Sequence, residues 1–148
     1  MRNDYDARVL NNLIKTTLDS QKGFAEASED THNPQFNTFF AEFATDRSRV
    51  ASLMQAEVEH LGENPEDGGS FLAAAHRTYM NLKEILVTRN DVAIIAEVER
   101  GEDFIKNKFE EALKDDKIAG STRSVIENAF ESVKLGHDRA SQLKHAVA

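Results

Sequence analysis

Apolar residues recur along this chain every three or four positions and almost never every second one. Val9, Leu10, Leu13, Ile14, Leu18, Phe24 and Ala25 form the first such stripe, which predicts a helix from about Asp6 to Glu29. The polar run Glu29 to Asn33 stops it, and Pro34 stands at a favourable first helical position. Phe36, Phe39, Phe40, Phe43, Val50, Ala51, Met54, Val58 and Leu61 then carry a second helix from Pro34 to Leu61, closed by Gly62. The loop from Glu63 to Ser70 is the strongest cluster of helix breakers, with Ser70 placed to cap the next helix. That helix is shorter and is expected from about Phe71 to Val87, with Leu72, Ala75, Tyr79, Leu82 and Leu86 inward. Asn90-Asp91 restarts a long helix to about Lys114 through Ile94, Ile95, Val98, Ile105, Phe109, Ala112 and Leu113. After a turn at Gly120-Ser121, or at the preceding Asp115-Asp116, a last helix is expected from about Thr122 to His145. Its inward positions are Val125, Ile126, Ala129, Phe130, Val133, Gly136, Ala140 and Leu143.

No stretch supports a sheet. Two tight antiparallel helix pairs joined by a connection that itself contains a helix require the chain to travel back along the bundle. The expected fold is therefore all-α: an up-down-down-up four-helix bundle with an extra short helix in the long crossover. The chain of 148 residues is read as a single domain, 1–148. A composition of 40% apolar and 30% charged residues is ordinary for a folded globular chain. The net charge of −8 argues against a nucleic-acid partner and against an anionic membrane surface. No apolar run is long enough to span a bilayer, and the opening MRNDYDARVL lacks the apolar core of a signal peptide, so the cytoplasm is the expected compartment. The absence of cysteine removes disulfides, thiolate chemistry and Cys-type zinc sites together.

The stretches LNNLIKTTLDSQKGFAEASED, FFAEFATDRSRVASLMQAEVEHLGENPEDGGS, AAAHRTYMNLKEILV and EVERGEDFIKNKFEEAL resemble an uncharacterised bacterial family of short four-helix-bundle proteins. That family is classed with the ferritin-like superfamily as a domain of unknown function. The most specific pieces are the Leu61–Ser70 loop, the Ala75-His76-Arg77 step and the run from Glu99 to Asp103. More distantly, the helix order is similar to rubrerythrin and bacterioferritin, which hold two irons between four helices. The resemblance implies a ferritin-like fold and establishes no activity.

Helical phase tests the distant kinship residue by residue. A ferritin-like metal centre takes Glu and Glu-x-x-His ligands at mid-height. Asp19, which a motif match would choose on the first helix, lies nearly opposite the apolar stripe at about 100° per residue, and Thr17 is the inward residue. Asp46-x-x-Arg49 resembles a decayed Glu-x-x-His, yet the phase of Phe36, Phe43, Val50 and Met54 turns Arg47 inward instead. Glu102 faces the core on the third long helix; Val133 does so on the last, with His137 at the stripe's edge. The expectation is a buried Arg47–Glu102 ion pair across the bundle, with Thr17, Gln21 and His137 adding hydrogen bonds and the pair specifying register.

Glu102 and His137 are the first-choice ligands should a metal bind. Glu57, His60 and His76 are the second choice, converging near Gly62; surface capping by His60 and a satisfied, partly buried His76 are the plainer roles. The acidic residues Glu99, Asp103, Glu110 and Glu111 read as a solvated face. A surplus phenylalanine turned outward from the Phe36–Phe43 run would mark a dimer interface, and Phe104 fits either an oligomer contact or packing under the crossover helix. The expected function is that of a non-catalytic ferritin-like bundle without a cofactor. It would act by self-association as a dimer, or with a protein partner, in stress or envelope physiology. The competing expectation is an iron-binding oxidoreductase or iron-handling protein with a reduced ligand set.

Overall fold

In the computed structural model, residues 2–67 and 90–147 are described. They form four helices: α1 (Arg2–Asp30), α2 (Pro34–His60), α3 (Asp91–Leu113) and α4 (Gly120–Val147). The short helix expected over 71–87, and with it His76, lies outside the described residues.

The boundaries follow from local chemistry. Asn33 has an extended backbone and accepts from the N–H groups of Gln35 and Phe36, so it caps α2 with Pro34 in the first turn. Gly62 adopts φ +81°, the left-handed conformation that glycine enters without steric cost, and its N–H reaches back to the Glu59 carbonyl at 2.9 Å. Asn90 caps α3 by accepting from the Ala93 N–H at 3.1 Å. The turn between α3 and α4 falls at Lys114–Ala119, so Gly120 is the first residue of α4.

α1 packs most extensively on α2 and α3 on α4; α2 also lies along α4, α1 along α3, and α1 touches α4 more lightly. Polar contacts fix which ends meet. Asn11, near the start of α1, donates to the Asn64 carbonyl just beyond α2 at 3.1 Å. Tyr5 reaches Asp115 beyond the end of α3, and Asp6 accepts from Thr122 at the start of α4 at 2.8 Å. Asn33 donates to Asp91 at 3.1 Å, which brings the starts of α2 and α3 to one end. Lys144 of α4 meets Glu99 of α3 at 3.0 Å, so these two helices run antiparallel.

The core is aliphatic along its length with an aromatic block on α2. Phe36, Phe39, Phe40 and Phe43 are all buried, and Phe24 of α1 stacks on Phe40 and meets Phe43 edge-on at 5.1 Å. The Phe36–Phe43 run therefore leaves no surplus ring to mark an interface. Phe104 remains 37% exposed, with Lys108 Nζ 5.4 Å from its ring centre.

Candidate functional site

α2 brings Arg47 and α3 brings Glu102 to the middle of the bundle, 1% and 0% exposed. Arg47 Nη2 donates to Glu102 Oε1 at 2.5 Å and Nη1 donates to Oε2 at 3.0 Å, a bidentate pair. Nη1 also donates to Ser20 Oγ of α1 at 3.0 Å. The rings of Phe24 and Phe43 lie 5.8 and 5.5 Å from the guanidinium carbon, close enough for cation–π attraction. The fourth wall is Gly136 of α4, whose missing side chain leaves the space that the two head groups fill. All four described helices thus contribute to one charged contact.

The partners around the pair differ from those expected. Thr17 is fully buried but donates to the Leu13 carbonyl of its own helix at 2.8 Å. A threonine inside a helix satisfies its hydroxyl this way at no cost in reach, and Ser20, one turn further, makes the contact instead. Gln21 is half-buried and, among the described residues, makes no hydrogen bond to the pair. His137 turns along the outside of α3, where Nε2 lies 2.6 Å from Asp103 Oδ1 rather than at Glu102. Among the described residues, His137 is paired with Asp103 and Glu102 with Arg47.

The second-choice set is also divided. Glu57 is buried, with no hydrogen-bond partner for Oε2 among the described residues, whereas His60 is exposed. The buried edge of α2 falls between these two positions. Among the described residues, no three His, Asp or Glu side chains converge to hold a metal ion. Among the described residues, those at the centre do not fit one: they offer a single carboxylate, already paired with a permanent cation at bonding distance.

Phase placed Asp46 and Arg49 correctly at the rim, where they pair with each other at 3.1 Å and with Ser132 of α4. It misplaced Asp19, which is only 6% exposed. α1 packs against three other helices, so its buried arc is wider than the single apolar stripe suggests.

A second polar cluster, at the end where α1 and α4 begin, was not singled out from the sequence. Asp6 Oδ2 accepts from the Ala119 N–H at 3.1 Å and from Thr122 Oγ1 at 2.8 Å, so a residue of α1 caps the start of α4. Tyr5 donates to Asp115, which raises the tyrosine pKa and holds the Asp115 carboxyl below its usual range; the Lys117 N–H also stabilises that carboxylate. Arg123 Nη1 and Nη2 close the turn by donating to the Leu113 and Asp115 carbonyls at 2.6 and 2.5 Å. The only sequence signal was the density of acidic and hydroxyl residues on both sides of the turn.

Fold and centre together define a class: an all-helical protein of four packed helices with a buried charge pair at its centre. The chain belongs to the family described as Domain of unknown function (DUF2383), whose model matches residues 6–115. That span carries Arg47 and Glu102, while Gly136 lies beyond it. Among curated proteins, none matches this chain.

Proposed function

We propose that this protein is a ferritin-like bundle that works without a bound metal, acting by association with a second copy of itself or with a protein partner rather than by catalysis. The observation that carries the reading is the bidentate Arg47–Glu102 pair, with both residues at most 1% exposed. In a ferritin-like bundle that position holds metal-ligating carboxylates and imidazoles. An arginine there supplies in place the positive charge a metal would bring, and it holds the remaining carboxylate in both arms of its fork.

The meeting of helix ends supports an up-down-down-up order. The starts of α2 and α3 share one end, through Asn33 and Asp91, and the starts of α1 and α4 share the other, through Asp6 and Thr122.

Protein purified without a histidine tag, assayed for metal and then titrated aerobically with Fe(II), tests the proposal together with a mass measurement by light scattering. The expected outcome is no stoichiometric metal, no iron oxidation above buffer, and a dimer mass. Stoichiometric iron with an oxidation rate lost in Glu102→Ala would replace this reading with an iron-handling one. A metal-free monomer at all concentrations would discard self-association.

A further inference from the structure

Gly136 is buried in the interior of α4, where glycine is a poor helix former relative to alanine. Its backbone conformation does not require glycine, since Gly62 is the glycine with positive φ among the described residues. The space beside it does. A Cβ at this position would lie 2.6 Å from Arg47 Nη2, 2.9 Å from Glu102 Oε1 and 3.3 Å from Phe43 Cε2. The first two distances are closer than real Cβ atoms approach other heavy atoms.

Head groups at the ends of flexible side chains can ordinarily swing away from such a clash. These cannot do so freely. The guanidinium is tied to both oxygens of Glu102 and to Ser20, and it packs beside the rings of Phe24 and Phe43. Retreat would separate two charges that are buried from solvent. We infer that Gly136 is the positioning residue of the bundle centre: its absent side chain is the volume in which Arg47, reaching from α2, meets Glu102 on α3. The occupant of the centre is thus set by two residues outside the carboxylate, an arginine on one helix and a glycine on the helix beside it. Any larger residue at 136 would compete with the two head groups for this space.

The test places Gly136→Ala in two backgrounds, the native chain and the double variant Arg47→Leu/Glu102→Leu. In the native chain, alanine should lower the melting temperature by about 5 °C or more, against its intrinsic preference for helix. In the double variant the same change should leave the melting temperature unchanged or raise it. Side-chain NMR gives the second readout: the Arg47 guanidinium protons should exchange slowly in the native chain and markedly faster in Gly136→Ala. Stabilisation by alanine in the native chain, or equal loss in both backgrounds, would overturn the inference. If Gly136→Ala alone does not fold, folding of the triple variant supports it and failure of the triple variant rejects it. If the double variant does not fold, the Arg47 exchange rate in Gly136→Ala decides.

Discussion

Glu102 at mid-height and Asp6 near one end are both buried carboxylates, yet they meet opposite kinds of partner. Glu102 faces a permanent cation, and the pair is walled by Ser20 of α1 and the backbone of Gly136 of α4. Asp6 faces neutral donors, a backbone N–H and a threonine hydroxyl at the first turn of α4, and its Oδ1 has no hydrogen-bond partner among the described residues. The first arrangement neutralises charge far from water. The second uses one carboxylate to finish a helix end, where the α4 dipole adds attraction. The same residue type therefore serves two purposes, and the environment rather than the residue sets what its loss costs.

The largest effect should come from splitting the central pair. Glu102→Leu or Arg47→Leu alone leaves an uncompensated buried charge and should cost about 3–5 kcal/mol in urea unfolding. The double variant should recover most of that loss, since two apolar groups leave no charge to compensate. Single variants within about 0.5 kcal/mol of the native chain would show that water reaches the centre, and the contrast with Asp6 would disappear.

A smaller effect is expected at the base. Asp6→Ala removes the acceptor for a buried hydroxyl and a part-buried N–H and should cost about 1–3 kcal/mol in the same measurement. A loss as large as that of Glu102→Leu would mean that Asp6 is the more important carboxylate.

The smallest effect is a pH dependence. Tyr5 holds the Asp115 pKa below its ordinary value near 3.8, so the stabilisation from this contact is present above about pH 4 and is lost as the pH falls through the depressed value. The Tyr5 pKa is raised above 10.0, so the same contact also weakens as the pH rises past that value. Tyr5→Phe should flatten the acid limb of a plot of urea midpoint against pH. An unchanged slope below pH 4 would show that Tyr5 does not hold Asp115 in solution.

Much of this was legible in the apolar spacing. Long stripes at helical period locate four helices within a few residues of their ends, and their phase turns Arg47 and Glu102 inward while leaving Asp46 and Arg49 at the rim. Phase fails where a helix is covered on several sides, as at Asp19 on α1. It also cannot say which of two inward hydroxyls makes a bond, so Ser20 was missed in favour of Thr17. Gly136 stood in the inward stripe, but the meaning of a missing atom depends on what two other helices place beside it. The Asp6 cap was hidden for a similar reason: its acceptor and donors are more than a hundred residues apart.

The position of the central pair in the chain bears on how the two halves depend on each other. Arg47 belongs to the α1–α2 hairpin and Glu102 to the α3–α4 hairpin, 55 residues away. Each hairpin alone would hold only one member of the central pair, Arg47 in the first and Glu102 in the second. The pair is completed only when the two hairpins meet, so the half-assembled chain is the state that the charge arrangement penalises.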